Sequence, residues 1–329
     1  MTQLSERPLT VPNLVRRPGD DELVRAPLVA ARRPGQWFGV IVVLVLLAML
    51  GHTLIVNERF QWGVVADYFT DDSILRGLGL TIWLTIAVLA VGYALGIVLA
   101  AMRLSHNKLL SSIAFAYVWL FRSVPPLVQL LFWYELASLY PQLSIGVPFG
   151  PEFASFDTAR LFGGVFAAFV ALSLDIAAFA AEIVRGGLLS VDRGQTEAAQ
   201  SMGLGRLRIF GRIVLPQAMP SIIPASGNML IGLLKATSIV SVIAVQDLLY
   251  SAELIYQQNY LIIPLLLVAT LWYIILTTLL SIGQHYVERH YARGRRGGRG
   301  RTPLRRTFRN NLPLLGSAWS RINANGAKS

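Results

Sequence analysis

The sequence predicts an all-α polytopic membrane protein with six membrane spans and both tails in the cytoplasm. Composition is the first reason, because 54% of the 329 residues are hydrophobic and only 14% are charged, whereas soluble domains carry about 25% charged residues. The second reason is a set of six long apolar stretches, and the third is the distribution of lysine and arginine between them. Lipid is therefore the expected solvent for most of the chain.

The six apolar stretches each approach the length that crosses a bilayer, about 20 residues for a hydrocarbon core of about 30 Å. The first stretch is longer than the core of a cleaved signal peptide, which has about 7–15 residues. We therefore expect it to remain as an uncleaved anchor. The predicted spans are residues 37–56, 78–102, 109–136, 161–184, 221–245 and 262–282.

Basic residues lie almost entirely on one side of this six-span arrangement. The two tails and the second–third and fourth–fifth links hold 24 of the 29 Lys and Arg residues, and the opposite side holds only Arg59, Arg76 and Arg160. Lys and Arg concentrate on the cytoplasmic side of membranes. The sequence therefore predicts a multi-pass protein of the bacterial cytoplasmic membrane with cytoplasmic tails.

Both predicted tails are basic. Residues 1–36 show no apolar periodicity and residues 287–329 are rich in Arg and Gly, so both are predicted to be disordered. The net charge of +11 would suit either nucleic acid or anionic lipid. Because the basic tails adjoin the membrane, lipid contact is favoured, and no nucleic-acid partner is expected.

The link between the fourth and fifth spans, about residues 187–216, carries the most informative pattern. Glycine permits the positive φ that ends a helix, so Gly203 is predicted to form a corner between two short cytoplasmic helices. Pro216 constrains the start of the next span, and two alanines leave room for the surface of another protein. The pattern comprises Glu197, Ala198, Ala199, Gly203, Ile213, Leu215 and Pro216.

This pattern of Glu-Ala-Ala, three residues, Gly, nine residues and Ile-x-Leu-Pro resembles the signature loop of bacterial ABC importer permeases. In that family the loop docks into a groove on the ATPase subunit, and the resemblance implies the same role here. It also implies a MetI-like type I ABC importer transmembrane domain over residues 74–286. The span at residues 37–56 would then be an extra N-terminal span.

Three further segments are similar to those of polar amino-acid permeases. Residues 122–130 resemble Arg-Gly-Thr-Pro-Leu-Leu-Val-Gln-Leu, residues 178–186 resemble Ala-Tyr-x-Ala-Glu-Ile-x-Arg-Gly, and residues 234–238 resemble Leu-Lys-Asp-Thr-Ser. Ala236 replaces the usual Asp, and Asp175 stands where Asn is common. The carried solute is therefore left open between polar amino acids, opines, sulfur amino acids and other small zwitterions.

Ionisable residues inside the predicted spans are candidates for the translocation pathway, because such residues are costly in lipid. Arg122 or Lys235 could meet a substrate carboxylate, and Asp175 could meet an ammonium group. The alternative is that they pair with backbone carbonyls or snorkel and hold helices together. Pro125 and Pro126 break the helix ladder just after Arg122, which favours a segment that faces a cavity.

No covalent chemistry is expected of this chain. It contains no cysteine and no Gly-x-x-x-x-Gly-Lys-Ser/Thr sequence, so cysteine-ligated metals are excluded, and no cofactor or metal is expected on this chain. The resemblance implies ATP and Mg on partner ATPase subunits, a second permease (identical or paired), an extracytoplasmic solute-binding protein and membrane lipids. Two other functions stay open, an ion-gradient-driven secondary transporter and a transport-inactive membrane anchor or sensor.

Overall fold

The computed structural model describes residues 34–146 and 152–292 of the chain. The predicted tails lie largely outside these residues, and where they overlap them the chain is helical. Contacts divide the chain into two compact units, Met1–Glu58 and Arg59–Ser329. In the first unit, helix α1 (Pro34–Val56) exposes nearly all of its apolar side chains from Phe38 onward, as expected of a helix solvated by lipid.

The second unit is mostly helical. A 3₁₀ turn covers Glu58–Phe60, a π turn covers Phe210–Val214, and a second 3₁₀ segment covers Thr237–Ile243. Its helices are α2 (Trp62–Phe69), α3 (Asp72–Arg103), α4 (Lys108–Ser123), α5 (Pro126–Tyr134), α6 (Leu136–Leu139), α7 (Thr158–Leu161), α8 (Gly164–Leu189), α9 (Arg193–Ser201), α10 (Arg206–Ile209), α11 (Leu215–Ala236), α12 (Leu248–Asn259) and α13 (Ile262–Ala292).

Five helices in the described ranges are long and apolar enough to cross a membrane, and a sixth span exists if α4 and α5 count as one. The third predicted span, residues 109–136, is interrupted at its two prolines, where the sequence predicts a break in the helix ladder. It bends by 101° between Ser123 and Pro126. The reason is the Pro125–Pro126 pair, which supplies no backbone N–H to the helix ladder. The sidedness of the tails stays a prediction.

Helices α3 and α8 form the centre of the second unit through small residues. A Cβ on Gly92 would stand 2.6 Å from Ile176 Cγ2, and a Cβ on Gly96 would meet Ala180. The stripe of small residues on α3 therefore packs inside the bundle, because it lets the two backbones approach closely. The surrounding core contains Leu84, Val88, Leu130, Ala168, Ala171, Leu172, Ile176, Leu233, Val240, Ile243 and Val245.

A second apolar cluster joins α2, α12, α13 and the start of α3. The Trp272 ring stacks on Phe69 with centroids 4.6 Å apart, and its Nε1 donates to Phe69 O at 3.0 Å. Asp247, fully buried, caps α12 by accepting from Tyr250 N at 2.9 Å. The cluster contains Val65, Ile74, Leu78, Leu248, Ala252, Leu265, Val268 and Ala269.

Strands β1 (Gln142–Gly146) and β2 (Glu152–Asp157) form a two-stranded antiparallel hairpin, with Leu143 opposite Phe156. In the six-span prediction, this region is only a link between the third and fourth spans. Leu143 and Ile145 alternate with polar residues in β1, but Phe153 and Ala154 are consecutive apolar residues in β2. The second strand therefore lacks the regular alternation that predicts a half-buried strand.

Candidate functional site

Helix α9 carries the first half of the predicted docking loop. Asp192 begins the helix by accepting a hydrogen bond from Gly194 N at 2.8 Å. Glu197 and Ala198 lie on its exposed side, whereas Ala199 is 4% exposed and buried where α9 packs against α10 and the π turn. Ala198 is therefore exposed for contact with a partner and Ala199 is not, and the role of both alanines in docking stays a prediction.

The predicted glycine corner is confirmed. Gly203 has φ +77°, Gly203 N donates to Gln200 O at 2.9 Å, and Leu204 N donates to Ala199 O at 3.2 Å. These two bonds are the Schellman arrangement that satisfies the last carbonyls of a helix. A residue with a Cβ is strained at this φ, so glycine fixes the direction in which the chain leaves α9.

The second half of the loop differs from the prediction of a separate short helix. After Gly205, α10, the π turn and α11 follow one another without a loop, and Arg206–Ile243 counts as one long helical run. Ile213 lies in the π turn and Leu215 and Pro216 begin α11. The π turn lies just before Pro216, whose ring and missing N–H disturb the regular α-helical hydrogen bonds. The chain accommodates this disturbance as a π turn and stays helical where the sequence suggested an interruption.

The tip of the loop exposes large apolar side chains. Met202 is 80% exposed, Leu207 is 89% exposed and Phe210 is 45% exposed. They adjoin the polar helix α9 and the arginines Arg206 and Arg208. Large apolar side chains that are exposed beside polar residues are typical of a surface that binds another protein.

Arg122 lies in the last turn of α4, immediately before the bend. Its side chain is exposed, and its guanidinium carbon stands 5.4 Å from the centre of the Phe179 ring on α8. This distance is within the range of a cation–π contact. Its charge also acts on Glu182 of α8.

Asp175, in contrast, is buried in the middle of α8 and only 7% exposed. Its Oδ1 accepts from Gln129 Nε2 on α5 at 3.3 Å. Gln129 also donates to Phe121 O and Val124 O, each at 2.9 Å. Gln129 thus links the end of α4, where Arg122 lies, to Asp175 on α8. No local sequence pattern predicts this link, because three helices must meet to form it.

Lys235, in the last turn of α11, is exposed. Among the residues that the structure describes, no hydrogen bond or ion pair connects its ammonium group to Arg122 or Asp175. Among the three predicted pathway residues, Arg122 and Asp175 therefore lie on helices that Gln129 links, whereas Lys235 lies on another helix.

Glu182 connects α8 with α3. It pairs with Arg185 at 2.7 Å, as the three-residue spacing predicts, and with Arg103 at 3.4 Å. The Arg103 guanidinium also lies over the Phe115 ring at 4.8 Å. The contact of Arg103 is not predictable from local patterns, because Arg103 and Glu182 are far apart in the chain. This arrangement joins the C-terminal end of α3 to α4 and to α8.

Comparisons with known proteins supply independent information. The sequence profile of the family described as binding-protein-dependent transport system inner membrane component matches residues 92–293. An arginine transport system permease protein, ArgU, of Corynebacterium glutamicum is 38% identical over 80% of this chain and 82% of its own length. A nopaline transport system permease protein, NocM, of Agrobacterium fabrum is 35% identical over 64% of this chain and 83% of its own.

Solved structures agree with the fold. The crystal structure of an amino acid ABC transporter with histidines is 31% identical, with a TM-score of 0.56, over 66% of this chain and 94% of that chain. An inward-facing MetNI methionine ABC transporter structure is 22% identical, with a TM-score of 0.51, over 67% of this chain and 96% of that chain. The second likeness concerns the fold alone, and both agree with a MetI-like transmembrane domain.

Proposed function

The chain belongs to the family of binding-protein-dependent transport system inner membrane components, and on that premise we propose that it carries a polar amino acid inward by alternating access. Members of this family are the transmembrane permease subunits of ABC importers and are not enzymes. The family places the chain in the cytoplasmic membrane and implies ATPase and solute-binding partners.

The observation that carries the proposal of ATP coupling is the loop geometry. Helix α9 ends at the Gly203 corner, and the apolar tip of Met202, Leu207 and Phe210 stands exposed beside it. A partner ATPase, which binds ATP and Mg, would receive this tip. Because the tip leads without a loop into α11, movement of the ATPase would be passed directly to a membrane-spanning helix.

The proposed substrate class rests on two kinds of support. Relatives at 33–38% identity are named for transport of arginine, nopaline, octopine and glutamine, which are amino acids or amino-acid derivatives with charged or polar groups. In this chain, Arg122 and Lys235 present exposed cations suited to a carboxylate. Asp175 would meet an ammonium group only when the α4–α5 bend moves, because it is buried in this arrangement.

The proposed assembly contains two permease subunits, two ATPase subunits and an extracytoplasmic solute-binding protein. The second permease is either an identical copy or a homologous partner. The hairpin β1–β2 lies in a link predicted to be external, so it is a candidate contact for the binding protein. Its exposed Phe153 and Phe156 offer the apolar groups that such contacts use.

Reconstitution tests the proposal. The complex of permease, ATPase and binding protein in proteoliposomes should accumulate labelled arginine or another polar amino acid only when ATP is present. Uptake by the permease alone, driven by an ion gradient, would reject ATP-coupled import in favour of a secondary transporter. Absence of any amino-acid uptake by an assembled, ATP-hydrolysing complex would reject the substrate class.

A single substitution tests the docking tip. Leu207→Asp should release the ATPase from the purified complex, because a charge would have to be desolvated in an apolar interface. Leu139→Asp, at a position on α6 that is 62% exposed, is the matched control and should retain the ATPase. Equal retention of the ATPase by both variants would remove Leu207 from the interface.

A further inference from the structure

The bend between α4 and α5 leaves backbone acceptors without their usual donors. In a continuous α-helix, Phe121 O accepts from the N–H four residues later, which here belongs to Pro125 and does not exist. Val124 then precedes the proline in extended conformation, with ψ 129°. In a membrane segment, a backbone carbonyl without a hydrogen-bond partner is energetically unfavourable. The bend therefore requires a hydrogen-bond donor from another part of the chain.

Gln129 supplies that donor. Its Nε2 lies 2.9 Å from Phe121 O and 2.9 Å from Val124 O, and the residue is only 6% exposed. Both neighbours are acceptors, which fixes the orientation of the amide because only its nitrogen can donate. The other amide atom, Oε1, is buried and has no hydrogen-bond partner among the described residues, so the donors are what this site uses.

The same nitrogen reaches a third helix. Asp175 Oδ1 on α8 lies 3.3 Å from Gln129 Nε2. The next residue, Leu130, is fully buried in the core that contains Ala171 and Leu172 of α8. Packing therefore fixes α5 against α8. Through its hydrogen bonds to Phe121 O and Val124 O, the Gln129 amide also fixes the end of α4 relative to these two helices.

From these contacts we propose that Gln129 is a positioning residue for transport, which holds the α4–α5 bend and the Asp175 carboxyl in register with Arg122. The two carbonyls that it holds, Phe121 O and Val124 O, flank Arg122 in the chain. Fixing both determines where the Arg122 guanidinium stands against Phe179, at 5.4 Å from the ring. Gln129 itself need not touch the solute.

This inference rests on the proposed transport function, and the first test uses transport. Gln129→Glu preserves shape but replaces the donating amide by an anion that faces two carbonyls and Asp175. Uptake by the reconstituted complex at about pH 7.5 should fall by about tenfold or more, because small misplacements of a positioned group reduce rates on that scale. At about pH 5.5 the introduced carboxyl gains a proton and one O–H donor, so uptake relative to the unsubstituted complex should recover.

Controls separate this effect from general damage. Gln258→Glu makes the same change at an exposed position of α12 and should match the unsubstituted complex at both pH values. Gln129→Ala should lose uptake at both pH values, because it has no group that can regain a donor. Wild-type uptake by Gln129→Glu near neutral pH, or a deficit that is identical at both pH values, would overturn the proposal.

The second test does not depend on any substrate. The chain has no cysteine, so Ser123→Cys provides a single thiol in this chain. Labelling the permease before assembly places a nitroxide spin label beside the bend in the full complex. Adding Gln129→Ala should produce a mobile spectral component at this site, and adding Gln258→Ala should not. If Gln129→Ala fails to assemble, Gln129→Glu should show the mobile component near neutral pH and lose it in acid.

An unchanged spectrum in the Gln129 variants would overturn the proposal even if uptake falls. If the unsubstituted complex fails to transport any amino acid, the proposed substrate class fails, whereas the spectral comparison still decides whether Gln129 holds the bend.

Discussion

Ala180 of α8 occupies the space that a side chain on Gly96 of α3 would need. The backbone of α3 therefore lies directly against the side chains and backbone of α8. The same relationship recurs one turn earlier, where Gly92 faces Ile176. The contact is intolerant of added volume, which gives the first prediction.

Gly96→Leu should destabilise the folded permease, because overpacking of a core contact costs about 1–3 kcal/mol or more. Thermal unfolding in detergent, followed by the fluorescence of the chain's seven tryptophans, measures the effect. Gly79→Leu is the matched control on the same helix, since nothing lies within 4 Å of a Cβ at Gly79. Equal unfolding temperatures for the two variants would show that α3 and α8 do not meet at Gly96.

Gly203→Ala should weaken coupling between ATP hydrolysis and transport, because a Cβ at φ +77° adds strain of about 1–2 kcal/mol and redirects the loop tip. The number of solute molecules taken up per ATP hydrolysed should fall. Gly203→Pro and Glu197→Lys should have larger effects in the same direction. Gly211→Ala is the control, because its Cβ would meet nothing within 4 Å, and a lower uptake ratio in that variant alone would contradict the proposed role of the corner.

Asp247→Asn should remove a pH dependence of stability. Burial raises the pKa of Asp247 to about 6, and the nearby charge of Glu253 adds to the effect, against hydrogen bonds from the backbone of Tyr250 and from Tyr273. The folded protein thus binds this proton more tightly than the unfolded chain. The stabilisation is complete below about pH 4 and is lost as pH rises through about 6, by up to about 3 kcal/mol.

Unfolding temperatures measured between about pH 4.5 and about pH 7.5 test this. The unsubstituted protein should lose stability over that interval, and Asp247→Asn should lose less and be the more stable at the upper end. Asp71→Asn makes the same change at the N-cap of α3, where the carboxylate accepts from Ser73 N at 2.8 Å. This control separates the effect of removing a capping carboxylate from the effect of removing a buried charge. A steeper profile in Asp247→Asn would contradict the assignment.

Arg122→Ala and Lys235→Ala should each abolish uptake and leave assembly of the complex intact, if these cations meet the carboxylate of the solute. Uptake and co-purification of the ATPase are the two measurements. Arg160→Ala is a control, because that side chain is 90% exposed and forms only a surface pair with Asp157 at 3.7 Å. Normal uptake by both Arg122→Ala and Lys235→Ala would remove them from the pathway.

Local backbone chemistry explains what the sequence predicts correctly. The positive φ of Gly203 and the break at Pro125 follow from single residue types, since glycine adopts positive φ without the penalty of a Cβ and proline lacks an N–H. Span positions follow from long apolar runs, which lipid demands. The Glu182–Arg185 pair follows from helix periodicity.

Features that require several distant segments are not accessible in the same way. The role of Gln129 depends on α4, α5 and α8 meeting, and the contact between Arg103 and Glu182 joins residues 79 positions apart. The buried position of Ala199 depends on how the loop folds back on itself. Helices α10 and α11 are joined by a π turn, and no residue pattern before Pro216 predicts that turn.

The helical run Arg206–Ile243 also imposes a constraint on chain length. Each residue turns an α-helix by about 100°, so the angular positions of Leu207 and Lys235 are tied to the number of residues between them. Insertion of one residue would carry Lys235 to another face, although every side chain stayed the same. Homologous permeases should therefore exchange side chains along this run far more freely than they gain or lose residues.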